Sequence, residues 1–402
     1  MKIAKSVKSA KVSIVIVAMF CALTSMLLCV FASGQKDVAY AAGDFRSIGK
    51  SAYLVDVQTG NVMYARGETD RLPIASMVKI MTSLLTFEAV ERGDITLDDD
   101  VSVSEEAAGM GGSQVFLDAG SVHKAGDLLK TVIVASANDS CVALAEHICG
   151  SVGAFVERMN ARAKELGMTD TQFKNCTGLP AAESFSSAKD VSIMLSKLIE
   201  HEKYFEYAHV WTEGYAHPDG RTTTITNTNK LVRFYKGCDG GKTGFTSEAK
   251  FCLGATAKRD NMRVIAVIIG ADSSKTRNAG ISAMFDYAFA NFSNKILIAK
   301  GDVLDREIPV SGGNKSNLAL TVEKDVAIFL SKNEEGAYDL KYELPSSVKA
   351  PVKQGDVVGK VYLTKDGVVV GETNVIANEN IDRMSLFDAI KEIGKHWGTS
   401  AR

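Results

Sequence analysis

Ser76-Met77-Val78-Lys79 opens the stretch of sequence that decides the fold. Apolar residues follow it at helical spacing, so the pattern predicts a helix from Ser76 to Arg92. A hydroxyl and an amine three residues apart share one face of that helix. A free serine hydroxyl is a poor nucleophile and needs a base within hydrogen-bond reach, and a lysine serves as that base only if its pKa is lowered. The stretch therefore predicts a serine nucleophile with a lysine base.

Two further strings complete this chemistry, because each occurs once and in a fixed order. Ser136-Ala137-Asn138 begins 60 residues after Ser76, and Lys242-Thr243-Gly244 begins 106 residues later. Ser136 offers a proton shuttle to a leaving amine, Asn138 an amide that holds a substrate backbone, and Lys242 a cation for a substrate carboxylate. Each string alone is common, but the three in this order predict one active site of an acyl-serine enzyme.

Two glycine-rich segments invite a nucleotide-binding interpretation that the spacing excludes. In Asp239-Gly240-Gly241-Lys242-Thr243, the preceding Gly237 is one residue too close to Gly241 for a phosphate-binding loop, and a strand rather than a helix is predicted to follow. No strand precedes Gly109-Met110-Gly111-Gly112-Ser113, and its third glycine is misplaced. We predict a flexible loop there, at the rim of the site.

With these motifs the chain resembles the low-molecular-mass penicillin-binding proteins that are serine-type D-alanyl-D-alanine carboxypeptidases, from about residue 44 to the C-terminus. Leu72–Ser76, Asn175–Pro180 and Asn227–Leu231 also resemble segments of that family. The resemblance implies that Ser76 is the nucleophile and Lys79 the general base. It assigns the second motif and the substrate-aligning strand to Ser136, Asn138, Lys242, Thr243 and Gly244.

Three positions depart from the family pattern. Val78 stands where threonine is usual, Ala137 where glycine is usual, and Asp272 where some members carry an arginine. The last change leaves open which cation besides Lys242 meets the terminal carboxylate of the substrate. Arg277 is the candidate, and the alternative is an ordinary solvated arginine at the start of a helix.

The resemblance implies hydrolysis of the last peptide bond of peptidoglycan stem pentapeptides ending in D-alanyl-D-alanine, with no metal or cofactor, and covalent capture of β-lactam antibiotics. The first alternative is a class A β-lactamase, which uses a glutamate between the second and third motifs. Residues 168–175 contain none, and Glu165 is predicted on a solvated helix face. The second alternative is a non-catalytic protein of the same fold that binds wall fragments.

Composition agrees with an exported globular enzyme, since 46% of residues are hydrophobic and 23% charged. Residues 1–42 combine four early lysines, an apolar run and a small-x-small site, which predicts a signal peptide or an N-terminal membrane anchor. Without them the net charge falls from −2 to −6, which makes nucleic-acid binding improbable. Five cysteines remain, an odd number that implies no disulfide framework. We expect the enzyme at the extracytoplasmic face of the membrane or in the cell wall.

Periodicity predicts the domain organisation and the fold class. Strands at both ends of residues 43–294, with helices between them, indicate an α/β (α+β) catalytic domain built on an antiparallel sheet flanked by helices. Short alternating stretches in residues 295–380 indicate a small all-β domain. Residues 381–402 carry an apolar stripe, which predicts an amphipathic helix that either lies on a membrane surface or packs on the β domain. The stripe consists of Leu386, Ile390, Ile393 and Trp397.

Overall fold

The structure, a computed structural model, describes residue 45, residues 48–331 and residues 338–385. The predicted targeting segment and the apolar stripe of the predicted C-terminal helix lie outside these residues. At the end of the described chain, Ile381 and Arg383 form isolated β-bridges with Val352 and Gly313. No helix within the described ranges is both long enough and apolar enough to cross a bilayer.

A five-stranded antiparallel sheet is the centre of the first part of the described chain, and its order is β2-β1-β9-β8-β7. These strands are β1 (Ser51–Asp56), β2 (Val62–Arg66), β7 (Cys238–Thr246), β8 (Lys250–Arg259) and β9 (Met262–Ala271). The predicted antiparallel sheet is confirmed, with strands from both ends of this part paired side by side. The strand that carries Lys242 lies at the edge, where one side of its backbone remains unpaired.

Helix α1 (Lys79–Glu91) follows a 3₁₀ turn, Ala75–Val78, that contains Ser76. Its first eleven residues are buried with the exception of Glu88, so it is apolar on nearly every side and lies inside the molecule. The predicted buried position of this helix follows from that pattern. Its interior position removes the first residue, Lys79, from water.

The other helices surround α1 or cover the sheet. They are α2 (Glu105–Ala108), α3 (Ala125–Val134), α4 (Asn138–Cys149), α5 (Val152–Glu165), α6 (Ala188–Leu198), α7 (Glu202–Ala208), α8 (Leu231–Phe234) and α9 (Ser274–Asn291). Helix α9 begins five residues before the predicted start at Ala279. The reason is that the Ser273 hydroxyl accepts a hydrogen bond from the Thr276 backbone N–H and caps the first turn.

Two small hairpins were not predicted from the sequence. One pairs β3 (Asp100–Ser102) with β4 (Val122–Lys124), and the other pairs β5 (Thr212–Ala216) with β6 (Thr222–Thr226). In β6 only Ile225 is buried, so the strand has almost no apolar alternation to reveal it.

The remaining strands form an all-β part with its own hydrophobic core. A six-stranded sheet has the order β14-β16-β17-β12-β11-β15, and β10 pairs with β13. The bounds are β10 (Phe292–Ile298), β11 (Glu307–Ser311), β12 (Asn317–Val322), β13 (Val326–Ser331), β14 (Tyr338–Glu343), β15 (Val348–Lys349), β16 (Val357–Lys365) and β17 (Val368–Ala377). Buried hydrogen bonds join the two parts, including one from the Asn294 amide to the Asp56 carboxylate at 2.8 Å.

Candidate active site

Ser76 lies in a tight turn wedged between two glycines. Ala75, just before it, has φ +48°, a left-handed conformation that is strained for alanine. A Cβ atom on Gly178 would lie 2.1 Å from the Ala75 carbonyl oxygen, and one on Gly244 would lie 2.4 Å from the Ile74 carbonyl oxygen. Only glycine fits at both positions, so the Asn175–Pro180 segment and the edge strand together hold the serine in place.

Lys79 is fully buried one helical turn from Ser76 and points at its hydroxyl. Its Nζ lies 3.1 Å from Ser76 Oγ and 2.6 Å from Asn138 Oδ1, and it also donates to the Thr177 carbonyl oxygen. Burial lowers the pKa of Lys79 below the ordinary lysine value, against the weaker opposing effects of Cys141, Cys176 and Asp139. A lysine with a lowered pKa has access to its neutral form and can accept a proton.

The Asn175–Pro180 segment presents the Thr177 carbonyl to Lys79. The Asn175 side chain accepts hydrogen bonds from the Thr177 and Gly178 backbone N–H groups and donates to the Leu179 carbonyl at 2.9 Å. These bonds fix a loop that has no regular secondary structure. The segment therefore contributes a hydrogen-bond acceptor that the motifs themselves do not reveal.

Ser136 and Lys242 form a second pair within the site. Lys242 Nζ donates to Ser136 Oγ at 2.8 Å and to the Thr243 carbonyl at 3.2 Å. Burial, followed by the nearby charge of Lys79, lowers the pKa of Lys242 well below its ordinary value. Ser136 has φ +66°, and this left-handed backbone turns the residue at the junction between α3 and α4. Two buried amines thus face two serine hydroxyls.

Asn138 is the first residue of α4, and the protein engages both ends of its side chain. Its Oδ1 accepts from Lys79, and its Nδ2 donates to the Gly111 carbonyl at 2.6 Å. Its backbone N–H donates to the Ser113 carbonyl at 2.7 Å. The predicted glycine loop therefore does lie beside the site, and Asn138 ties the loop to Lys79.

Asp139 is a supporting residue that sequence reasoning missed. Its buried carboxylate accepts hydrogen bonds from the backbone N–H groups of Val115, Leu117 and Ser140. It therefore anchors the far end of the same loop. An aspartate next to the second motif was the available signal.

Thr243 and Gly244 continue the edge strand past Ser76. The Gly241 backbone N–H donates outward to the Tyr204 hydroxyl at 2.8 Å rather than to β8. Because alternate residues of a strand point the same way, the N–H and C=O groups of Thr243 and Phe245 also lie on the free edge. A Cβ on Gly244 would be only 3.3 Å from the Ser76 nitrogen, so this edge lies directly beside the nucleophile turn.

Arg277 is buried, with 6% of its surface exposed, so the interpretation as a solvated arginine is wrong. Its Nη1 donates to the Cys252 carbonyl at 3.3 Å, and Cys252 is paired with Gly244 between β8 and β7. Burial lowers the pKa of Arg277 to about 10, and its charge also lowers the pKa of Lys242. Asp272 is exposed.

The cysteines of the described chain are all free, and two of them lie close to Lys79. Burial raises the pKa of the Cys141 thiol to about 11 and raises that of Cys176 further. A thiol with a raised pKa is a poor nucleophile at neutral pH. The site chemistry therefore falls to the serines and lysines.

Glu165 does not fit the water-activating glutamate of a class A β-lactamase. It ends α5 with its side chain half exposed, and its carboxylate pairs with Arg162 at 3.0 Å. It is a surface ion pair, as the sequence predicted.

A serine within reach of a buried lysine, on a helix packed between an antiparallel sheet and other helices, defines a serine acyl-transfer enzyme of the penicillin-binding fold. Comparisons with known proteins narrow this class. The D-alanyl-D-alanine carboxypeptidase family model (peptidase S11) matches residues 39–273, and the model for the C-terminal domain of penicillin-binding protein 5 matches residues 292–383. The chain belongs to the peptidase S11 family of D-alanyl-D-alanine carboxypeptidases.

Individual relatives agree along most of the chain. D-alanyl-D-alanine carboxypeptidase DacF of Bacillus subtilis is 39% identical over 350 residues, 87% of this chain and 90% of the relative. DacD of Escherichia coli is 32% identical over 85% of this chain and 89% of its own length. The crystal structure of penicillin-binding protein 5 from Haemophilus influenzae has a TM-score of 0.67 at 30% identity and covers 84% of this chain and 98% of its own.

Proposed function

We propose that this chain is a carboxypeptidase that removes the terminal D-alanine from peptidoglycan stem pentapeptides, with Ser76 as nucleophile and Lys79 as general base. The observation that carries the proposal is the 3.1 Å contact between Lys79 Nζ and Ser76 Oγ, made by a buried lysine whose pKa is lowered. Release of D-alanine from a synthetic pentapeptide by the purified enzyme tests it.

In the first step Ser76 Oγ attacks the carbonyl carbon of the penultimate D-alanine while Lys79 Nζ takes the hydroxyl proton. Negative charge develops on the carbonyl oxygen. The backbone N–H groups of Ser76 and Phe245 support its stabilisation, because one lies in the nucleophile turn and the other on the free edge of β7. Both donors are fixed before the substrate arrives.

Collapse of the tetrahedral intermediate breaks the peptide bond and leaves the acyl group on Ser76. The departing amine takes a proton through Ser136, which is hydrogen-bonded to Lys242. Water then attacks the ester, D-alanine having left, and restores the free hydroxyl. A β-lactam ring enters by the same attack and remains bound as the acyl-enzyme, in keeping with covalent penicillin binding in this family.

The substrate carboxylate meets Lys242 and the hydroxyl of Thr243 at the edge strand. Arg277 supports this end of the site as a second buried cation, through the carbonyl of Cys252 on the neighbouring strand. Lys242, held at a lowered pKa by burial and by Lys79, gains its proton when an anion arrives. The same contact excludes substrates without a terminal carboxylate.

Replacing Lys242 with alanine separates this role from a general loss of activity. We expect kcat/KM for the free-acid pentapeptide to fall by about 10- to 100-fold, the range for a charge-assisted contact. The C-terminal amide of the same peptide, which lacks the charge, should lose far less. Steady-state release of D-alanine and of D-alanine amide measures both. Equal losses on the two peptides would reject the assigned role.

Export and membrane attachment are supported by sequence features outside the described residues. We propose that residues 1–42 direct the chain across the cytoplasmic membrane and that residues 381–402 tether it to the extracytoplasmic surface. Most of the tether consists of the stripe that ends at Trp397. Lys391, Lys395 and Arg402 supply its cations.

Truncation near Asn380 tests the tether. The signal-processed full-length enzyme should sediment with membranes, whereas the truncated enzyme should be released with unchanged activity on a soluble pentapeptide. Fractionation followed by penicillin labelling measures both. Mass spectrometry must show that residues 1–42 have been removed, because an uncleaved anchor retains either form. Processed, truncated protein that still pellets would mean that this segment is not the tether.

A further inference from the structure

We propose that Glu248, at the tip of the turn between β7 and β8, recognises a positively charged amine on the substrate residue that precedes the acylated alanine. Resting on the proposed function, the inference names a specificity-determining residue for the same site. The ligand chemistry is an aliphatic side chain that ends in an ammonium group. The carboxylate of Glu248 is its counter-ion.

The direction of the substrate follows from the edge strand. The terminal carboxylate is assigned to Lys242 and the scissile carbonyl to Ser76, beside Gly244. The residues before the scissile bond must then extend in the opposite direction, past Phe245 and Thr246. At about 3.3 Å per strand residue, the side chain next to the acylated alanine falls beside the β7–β8 turn.

A cleft lies at that place, next to the nucleophile turn. Its walls include the side chains of Ile74, Val78, Leu179 and Pro180, and Thr246 and Glu248 lie at its β7 end. An apolar cleft with one carboxylate at its end matches an aliphatic chain with a terminal ammonium group. A neutral or acidic side chain matches it less well.

The turn holds Glu248 in place and leaves its carboxylate available. The Thr246 hydroxyl accepts a hydrogen bond from the Ala249 backbone N–H at 3.0 Å, and the Cys252 thiol donates to the Ala249 carbonyl at 3.3 Å. Ala249 is buried, so the tip is anchored directly after Glu248. Glu248 itself is exposed, and no cation of the described chain forms an ion pair with it.

The charge of the substrate amine depends on its chemical state. A free amine is an ammonium ion at neutral pH, whereas an acylated amine, as in a cross-linked peptide, is a neutral amide. Glu248 therefore favours stem peptides whose amine is still free. The contact is partly exposed, so we expect a preference of about 3- to 10-fold in kcat/KM.

Two pentapeptides that differ only in a free or acetylated amine at the third residue test the inference in the full-length enzyme. Wild type should release D-alanine faster from the free-amine peptide. Glu248→Gln should lower kcat/KM for that peptide to the value of the acetylated one, and Glu248→Lys should favour a succinylated peptide instead. Glu307→Gln, which removes an exposed carboxylate from β11, is the matched control and should keep the wild-type preference.

The rate of acylation by benzylpenicillin, which has no such amine, checks that each variant keeps an intact site. Equal turnover of the two peptides by wild type overturns the inference, and so does a preference that persists in Glu248→Gln. Absence of D-alanine release from both peptides by wild type overturns the proposed carboxypeptidase function itself, and the inference with it. The two failures are therefore distinguishable.

Discussion

Replacing Ser76 with alanine should abolish covalent labelling by a fluorescent penicillin. The attacking atom is Ser76 Oγ, and the neighbouring Ser136 hydroxyl accepts a hydrogen bond from Lys242 rather than lying within reach of Lys79. Removal of the nucleophile leaves no group that forms an acyl-enzyme, so the expected loss is complete within detection. Gel fluorescence and the intact mass of the treated protein measure it.

A serine on the same helix provides the control. Ser83 is buried one turn beyond Lys79 on α1, and Ser83→Ala should label at the wild-type rate. Thermal unfolding should show that both variants remain folded, because Ser76 is only partly buried and its loss opens no large cavity. A wild-type mass increase in Ser76→Ala would place the nucleophile elsewhere.

The sequence predicted the main elements because each motif begins or occupies one of them. Lys79 is the first residue of α1, Asn138 the first of α4, and Lys242 lies in the middle of β7. Helix α1 carried the clearest signal, since it is buried on nearly all sides. Long periodic segments fix element type well, which is why the antiparallel sheet and the all-β part were also predicted.

What the sequence did not predict depends on long-range packing. The left-handed backbones of Ala75 and Ser136 occur at residue types that rarely adopt them, and neighbouring elements enforce them. Asn138 joins Lys79 to the Gly111 loop through contacts 59 and 27 residues away in sequence. The burial of Arg277 was equally invisible, because nothing near it in sequence distinguishes a covered guanidinium from a solvated one.

The two lysines also show why local rules fail at such a site. An amine buried without a carboxylate partner is unfavourable in a folded protein, and local propensity would place Lys79 and Lys242 at the surface. Their pKa values are lowered, so the unfolded chain binds protons more tightly than the folded one. The stability that these groups withhold is therefore lost as the pH falls below the ordinary lysine pKa. This cost to stability accompanies a base that is available near neutral pH.

Replacing Lys79 with alanine should slow acylation of Ser76 by penicillin about 10² to 10⁴-fold, the usual range for loss of a general base. In wild type the acylation rate should fall as the pH falls through the lowered pKa of Lys79, because the protonated amine cannot accept the serine proton. The variant should lose this dependence, since its remaining acylation does not require that amine. Stopped-flow acylation across a pH series measures both effects.

Lys79→Arg is the informative companion, because arginine keeps the positive charge and hydrogen-bond donors but stays protonated at neutral pH. It should acylate as slowly as Lys79→Ala if proton transfer is the role of Lys79. Recovery of the wild-type rate in Lys79→Arg would mean instead that the cation holds Asn138 and the Thr177 carbonyl in place. Circular dichroism of both variants must match wild type, so that a slow rate reports lost chemistry rather than a lost fold. A wild-type rate in Lys79→Ala would assign the base to another group.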